Sequence, residues 1–254
     1  MLHLNFKKIG DSGDNIIILH GLLGSLDNWH SIAKQLSETH QVFIIDQRNH
    51  GRSPHTDDID YTLLANDIVE FCEQQQIRKS HIVGHSMGGK VAMMLALTQP
   101  ELVDKLVVVD IAPTFYAGGH EEILFAMAEA PLKMATRRDE IDNFLQNRIR
   151  AFGERQFILK NLSRDANGHF EWKCNLPSLI KNYRLLMDFP KTEQTFSGNI
   201  FFIKGELSNY INQDNFDACD KYFPNHKLIE VPNAGHWVHA DNPIAFMQAL
   251  KKIL

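Results

Sequence analysis

Short apolar runs alternate with longer segments of helical periodicity over most of the chain. The runs are rich in isoleucine, valine and leucine, and they show little polar alternation, which is typical of strands covered on both faces. Such an alternation predicts a mostly parallel sheet with helices on both faces. The predicted strands cover residues 15–19, 41–45, 81–83, 106–109, 200–203 and 227–231, with an antiparallel edge strand at 2–6. The predicted helices of this sheet domain cover residues 29–36, 62–75, 88–99, 212–222 and 243–254.

The alternation stops after Asp110. From about residue 114 to residue 194 no convincing buried strand is found, and the periodicity indicates helices. These helices are predicted at 121–130, 139–151, 154–162 and 176–188. We therefore expect a core domain formed by residues 1–113 and 195–254, with residues 114–194 inserted as a helical cap over the carboxyl edge of the sheet.

Composition and charge narrow the class of protein. The 254 residues carry a net charge of −5 with both signs mixed along the chain, so no basic stripe indicates a nucleic-acid partner. No basic amphipathic helix, N-terminal leader or apolar run of about 20 residues indicates a membrane or secretion. Cys72, Cys174 and Cys219 lie far apart, which predicts reduced thiols in a cytoplasmic protein. We expect a monomer or a homodimer.

The segment Gly84-His85-Ser86-Met87-Gly88 follows the predicted strand 81–83 and precedes a predicted helix. A Gly-x-Ser-x-Gly turn between a strand and a helix holds its serine on a strained corner with the hydroxyl exposed above the sheet. The glycines are expected because a Cβ at either place would collide with the neighbouring strand or helix. Ser86 is therefore the candidate nucleophile.

His236 is the candidate base, because a serine hydroxyl is a poor nucleophile without one. It follows the last predicted strand and precedes the final helix, a position from which a histidine can reach back over the sheet to Ser86. Two other histidines lie nearby in the sequence. His239 is expected on the following turn, and His85 is expected to point away from the nucleophile, so neither is predicted as the base.

The acid of the triad is less obvious. The usual place follows the strand 200–203, but Ser208 stands where an aspartate would be expected. Asp110, at the end of the strand 106–109, is the alternative and preserves the order nucleophile, acid, base. It could instead only cap the following turn. Asp110 is the predicted acid, with Glu206 and Asp214 as reserves.

The loop His20-Gly21-Leu22-Leu23-Gly24 follows the strand 15–19 and predicts an oxyanion hole. The backbone N–H groups of Leu22 and Met87 are the proposed donors, and such donors are typically worth ~10²–10³ in rate. Gly21, Leu22 and Trp237 are predicted to line the substrate site. No glycine-rich phosphate loop follows a strand and no histidine pair has metal-ligand spacing, so neither a cofactor nor a metal is expected.

These motifs resemble those of the α/β-hydrolases and, more narrowly, of the YbfF-type bacterial esterases. The resemblance runs through nearly the whole chain outside the cap. It rests on His20-Gly21-Leu22-Leu23-Gly24-Ser25, Asp46-Gln47-Arg48-Asn49-His50-Gly51, Gly84-His85-Ser86-Met87-Gly88-Gly89-Lys90, Val109-Asp110-Ile111-Ala112-Pro113 and Gly235-His236-Trp237-Val238-His239. It implies an α/β-hydrolase fold, no cofactor, and an acid on the strand before the usual one, which favours Asp110. Arg48-Asn49 replaces the Arg-Gly of many related hydrolases and matches the narrower group.

The resemblance also implies esterase or thioesterase activity on short acyl groups, including acyl-coenzyme A. The expected partner is thus a small acyl ester or thioester, cleaved through an acyl-enzyme. Hydrolysis of carbon–carbon bonds and perhydrolysis on the same scaffold remain alternatives. From a different class, a ligand-binding sensor that keeps a vestigial triad is a further alternative.

Overall fold

The computed structural model describes residues 2–254, so Met1 of the predicted core domain lies outside the described residues. Nine strands are defined: β1 (Phe6–Ile9), β2 (Asn15–Leu19), β3 (Gln41–Ile45), β4 (Ser80–His85), β5 (Val103–Val109), β6 (Leu162–Arg164), β7 (Phe170–Trp172), β8 (Asn199–Gly205) and β9 (Lys227–Val231). The helices of the sheet domain are α1 (His30–Leu36), α2 (Tyr61–Gln74) and α3 (Met87–Thr98). Five follow within residues 114–194, α4 (Glu121–Ala128), α5 (Arg138–Gln146), α6 (Phe152–Leu159), α7 (Leu176–Lys181) and α8 (Tyr183–Met187), before α9 (Gln213–Tyr222), α10 (Val238–Asp241) and α11 (Pro243–Ile253).

Seven strands form the central sheet in the order β1-β3-β2-β4-β5-β8-β9. Only β1 is antiparallel, pairing with β3, and every other pair in this sheet is parallel. The edge strand therefore lies at Phe6–Ile9 rather than at the predicted 2–6. The strand β4, which directly precedes Ser86, extends beyond the predicted 81–83 at both ends, and all six of its residues are buried.

Both faces of the sheet are covered, as the continuous apolar runs predict. Alternate residues of β2 enter different apolar clusters: Ile17 packs with residues of α2 and α3, whereas Ile16 packs with residues of α1 and α11. This is the period-two alternation of a strand expressed between two helical layers. The α/β-hydrolase architecture, with a mostly parallel sheet between helices, is confirmed. Within residues 2–254, none of the helices has the length and apolar character needed to cross a membrane.

Residues 114–194, here called the cap, lie between β5 and β8 in the chain. They contain five helices and a short antiparallel hairpin formed by β6 and β7. The predicted helix 154–162 ends at Leu159, and the first strand of the hairpin begins at Leu162. The predicted helix 176–188 is two helices that meet at Asn182. Arg155 of α6 is buried, and its Nε lies 2.7 Å from Asp142 Oδ1.

The first and last segments of the cap are hydrogen-bonded to each other, and the last segment is also hydrogen-bonded to the core. The backbone N–H of Tyr116 donates to the carbonyl of Met187 (3.0 Å), so the chain segments that enter and leave the cap are joined. Lys90 of α3 donates to the carbonyls of Met187 and Asp188, both at 2.9 Å. The Tyr61 hydroxyl donates to the carbonyl of Leu186 (2.6 Å). Core side chains thereby satisfy the carbonyls that the end of α8 leaves without helical partners.

Candidate active site

Ser86 occupies the sharp turn between β4 and α3. Its φ of 53° and ψ of −120° place it in a strained region for a side-chain-bearing residue. The turn closes only because its flanking residues lack a Cβ. A Cβ on Gly84 would lie 2.2 Å from the carbonyl oxygen of Gly88, and one on Gly88 would lie 2.4 Å from that of Leu19. The local sequence thus forces the serine hydroxyl outward.

The structure brings together the three residues predicted as nucleophile, base and acid. The Ser86 Oγ lies 3.0 Å from His236 Nε2, and His236 Nδ1 lies 2.8 Å from Asp110 Oδ2. Asp110 is fully buried, and its Oδ1 accepts a hydrogen bond from the Gly205 N–H (3.0 Å). A carboxylate beside Nδ1 favours the tautomer with the proton on Nδ1, which leaves Nε2 free to accept the serine proton.

The reserve acids are directed elsewhere. Glu206 accepts a hydrogen bond from the Asn233 N–H (2.8 Å), and Asp214 is exposed in the first turn of α9. Ser208, in contrast, donates its hydroxyl to Asp110 Oδ2. The sequence marked this position as one where an aspartate was expected, yet its role as a donor to the acid was missed. The missing aspartate was the signal that could have revealed this role, because a polar residue at position 208 lies beside the acid that follows the neighbouring strand.

The rings around His236 fix its orientation. Tyr210 stacks on the imidazole with ring centroids 3.8 Å apart. His85 does not point away, contrary to the sequence-based expectation: its Nε2 lies 2.8 Å from the carbonyl oxygen of His236. Burial holds the pKa of His85 well below its usual value, so its neutral ring donates to that carbonyl. His85 therefore supports the backbone that carries the base.

His239 lies on the short helix α10 rather than on a turn. Its ring stacks on Trp29 with centroids 4.2 Å apart. Burial, with a smaller contribution from His236, lowers its pKa to about 3. Within residues 2–254 its Nδ1 is buried without a hydrogen-bond partner, and the Ser86 hydroxyl contacts His236 rather than His239.

Two buried histidines support the loop predicted to carry an oxyanion donor. His20 accepts the Gln47 N–H at Nε2 (3.1 Å) and lies with Nδ1 2.8 Å from the carbonyl of Gly21. His50 accepts the Leu23 N–H at Nε2 (3.2 Å). Burial lowers the pKa of His20 to about 4 and that of His50 to about 3. Both rings are therefore neutral at pH 7, as acceptance of a backbone N–H requires.

A buried ion pair holds the polar turn that follows β3. Arg48 is buried, and its guanidinium binds both carboxylate oxygens of Asp67 (2.5 and 2.6 Å). Burial raises the pKa of Asp67, with the Arg48 hydrogen bonds acting against it. The Arg48 guanidinium is thus already engaged by an acid, and it is not available to a substrate anion.

Two pockets meet at the serine. The first, of about 540 Å³, includes Gly21, Leu22, His236 and Trp237 in its lining, together with residues of α4 and α6 of the cap. The second, of about 380 Å³, is lined by Met87, Lys90, three tyrosines and residues of α8. Ser86 lines both pockets. The residues predicted to bind substrate therefore all face the first pocket, whereas the second was not foreseen from the sequence.

Comparison with known proteins agrees with this fold. The model of the alpha/beta hydrolase fold family matches residues 14–243, nearly the full length of the chain. The chain therefore belongs to the α/β-hydrolase family. Its resemblance to the YbfF-type esterases is confirmed as well, because it is 34% identical to esterase YbfF of Escherichia coli over 94% of this chain and 92% of that protein.

Two further relatives extend the comparison. The chain is 36% identical to the sn-1-specific diacylglycerol lipase ABHD11 of Danio rerio, over 98% of this chain and 81% of that protein. A solved structure described as a marine microorganism esterase superposes with a TM-score of 0.98 and 42% identity, covering all of both chains. The protein is thus a hydrolase of the esterase and lipase type.

We predict that Asp110→Asn lowers kcat for p-nitrophenyl acetate by ~10³–10⁴, because an amide fails to hold the His236 tautomer or to stabilise the imidazolium. Glu206→Gln is the matched control and is expected to keep nearly wild-type turnover, since Glu206 binds only Asn233 in this region. Steady-state kinetics of both variants distinguish the two carboxylates. A larger loss in Glu206→Gln would assign the acid to Glu206 instead.

Acid is expected to destabilise the protein partly through His50. Its pKa is about 3 when folded against 6.5 when unfolded, so the unfolded chain binds the extra proton as the pH falls below 6.5. Proton binding at this residue in the unfolded chain lowers the free energy of unfolding by about 2 kcal/mol at pH 5. Gln at position 50 still offers an acceptor to the Leu23 N–H but does not titrate. Urea unfolding at pH 7 and pH 5 should therefore show a smaller loss in His50→Gln, with exposed His55→Gln behaving as wild type. Equal losses in all three proteins would contradict the prediction.

Proposed function

We propose that this protein is a serine esterase that cleaves esters or thioesters of short acyl groups through an acyl-enzyme. The observation that carries the proposal is the continuous contact from Ser86 through His236 to Asp110, located where two pockets meet. Hydrolysis divides the substrate into an acyl part and an alcohol or thiol part, and each of these parts needs its own space beside Ser86. Neither pocket is needed for the triad to form, so their position supports a substrate with two substantial parts.

In the proposed reaction, Ser86 attacks the carbonyl carbon while His236 takes its proton, and Asp110 stabilises the resulting imidazolium. The backbone N–H groups of Leu22 and Met87 hold the oxyanion. Met87 is the first residue of α3, so its N–H has no acceptor within that helix. His236 then gives its proton to the departing alcohol or thiol, and a water activated by the same residue releases the acid.

The roles of the two pockets follow from the proton that the leaving group needs. His236 supplies this proton and lines only the first pocket, so the first pocket receives the alcohol or thiol. Met87 lines only the second, smaller pocket, which therefore receives the acyl chain. Lys90, Tyr61 and Met187 line it as well, and the contacts of Lys90 and Tyr61 with the end of α8 restrict its depth. This supports short acyl groups.

A catalytic esterase and a sensor with a vestigial triad differ in turnover. Ser86→Ala should reduce hydrolysis of p-nitrophenyl butyrate to the uncatalysed background, because no other group replaces the nucleophile. Ser197→Ala, at an exposed serine, is the matched control and should keep full activity. A fluorophosphonate probe should label the wild-type protein at Ser86. Labelling without steady turnover would support the sensor, and wild-type turnover in Ser86→Ala would remove Ser86 from the mechanism.

The depth of the second pocket should set the preferred chain length. For p-nitrophenyl esters and matched coenzyme A thioesters, we expect kcat/KM to be highest for acetyl and butyryl groups and at least ~10-fold lower for octanoyl groups. Met187→Ala shortens a side chain that lines this pocket and should move the optimum towards hexanoyl. The exposed cap residue Met134, changed to Ala, should leave the profile unchanged. A wild-type optimum at octanoyl would refute the short-acyl assignment, and a carbon–carbon hydrolase would leave the whole ester panel uncleaved.

A further inference from the structure

The loop between β8 and α9, residues 206–212, contacts both the acid and the base of the triad. Ser208 donates its hydroxyl to Asp110 Oδ2, and the Tyr210 N–H donates to the Ser208 oxygen (3.2 Å). The Tyr210 ring lies on the His236 imidazole, with centroids 3.8 Å apart and ring planes inclined by 19°. One short segment therefore hydrogen-bonds the acid and covers one face of the base.

The backbone of Tyr210 is held on its other side as well. Its carbonyl accepts hydrogen bonds from the Tyr116 hydroxyl (2.6 Å) and from the Asn215 side-chain amide (2.8 Å). The Tyr116 hydroxyl in turn accepts the Ala112 N–H (2.9 Å), two residues after the acid. Because both backbone groups of Tyr210 are engaged, its ring is fixed over the imidazole before a substrate binds.

The Tyr210 ring is uncharged at neutral pH. Burial raises the pKa of its phenol, and the Asp110 and Glu154 carboxylates raise it further. It therefore offers His236 no phenolate and no ion pair. What it offers is the face of an aromatic ring, where the electron distribution is negative.

The charge of His236 changes during the proposed reaction, and the charge of Tyr210 does not. His236 begins uncharged, as a base must, and becomes an imidazolium when it takes the Ser86 proton. A cation within about 6 Å of an aromatic face is attracted to it, and the observed stacking distance of 3.8 Å lies inside this limit. The attraction is thus stronger in the transition state than in the resting enzyme, which is the condition for an effect on rate.

We propose that Tyr210 is a positioning residue whose ring face stabilises the imidazolium form of His236. This inference rests on the proposed esterase function and deepens it. In acylation the proton moves from Ser86 Oγ to His236 Nε2 as the oxygen–carbon bond forms, and in deacylation a water supplies it. Each time the positive charge is stabilised by Asp110 at the edge of the ring and by Tyr210 at its face. Tyr210 forms no covalent bond and transfers no proton.

An electronic role for the ring can be separated from a packing role. Fluorine atoms withdraw electron density from the face of an aromatic ring and change its size very little, so they weaken the attraction of a cation while packing is kept. A ring that only fills space would tolerate them. A ring that stabilises an imidazolium would lose its effect step by step as fluorine atoms are added.

The test uses Tyr210→Phe, the same phenylalanine carrying one, two or three fluorine atoms, and Tyr210→Leu. The substrate is p-nitrophenyl acetate, because Tyr210 lines the second pocket and the small acetyl group makes the least demand on its shape. We expect Tyr210→Phe to stay within ~3-fold of the wild-type kcat. Three fluorine atoms should lower kcat a further ~3- to 10-fold with one and two in between, Tyr210→Leu should lose about 10-fold, and KM should change little across the fluorine series.

Phe71 of α2 provides the matched control. It is buried and packs against the rings of Phe6 and Phe43, with centroids 5.1 and 5.9 Å away. Three fluorine atoms on Phe71 should leave kcat unchanged, and near-ultraviolet circular dichroism reports whether each variant keeps its packing.

Three results would overturn the role of Tyr210 and leave the esterase proposal intact. They are a fluorine series with constant kcat, wild-type kcat in Tyr210→Leu, and a loss in Tyr210→Phe as large as that in Tyr210→Leu, which would assign the effect to the hydroxyl. Wild-type protein that hydrolyses neither p-nitrophenyl acetate nor any other ester would overturn the esterase proposal itself, and the role of Tyr210 would fall with it.

Discussion

The buried carboxylate of Asp110 is the constraint on which the site depends. A charge with no access to water is costly unless hydrogen bonds and counter-charges surround it. Asp110 obtains these from the Gly205 N–H, the Ser208 hydroxyl and the His236 ring. Its three donors come from the last residue of β8 and from the loops that follow β8 and β9, so one carboxylate holds the ends of β5, β8 and β9 together. The orientation of the base towards Ser86 follows from that arrangement.

The features that depend on the local sequence pattern were predicted from the sequence. Continuous apolar runs identified the parallel strands, and glycines at positions 84 and 88 identified the serine turn, because both features depend on neighbours within a few residues. The predicted bounds of the edge strand, 2–6, and the prediction of one continuous helix at 176–188 were wrong. Those depend on where a segment meets the rest of the molecule. A strand pairing such as Phe6 with Ile45 has no signature in either segment alone.

The site was predictable to the extent that residue types have fixed chemistry. A serine, a histidine and an aspartate in the right order suffice to suggest a triad, but its supporting contacts join residues about 100 positions apart. Ser208 and Asp110 are one such pair, and Lys90 and Met187 are another. The 13 histidines show the same limit. Burial and bonding partners separate His20 and His50, which accept backbone N–H groups, from His236, and neither property can be read from a sequence.

The joint between the cap and the sheet has a consequence for how this chain can diverge. Both chain crossings are tied together through Tyr116 and Met187, and Lys90 binds the same carbonyl from the helix that begins beside Ser86. The residues between those crossings also contact the core through side chains: Asn161 donates to the Leu23 carbonyl (2.6 Å), and Asn49 donates to the Ser178 hydroxyl (3.1 Å). Leu23 belongs to the loop that carries the proposed oxyanion donor, so a change at position 161 would reach the chemistry as well as the pockets. Divergence in the cap is therefore constrained at these contacts and freer elsewhere in it.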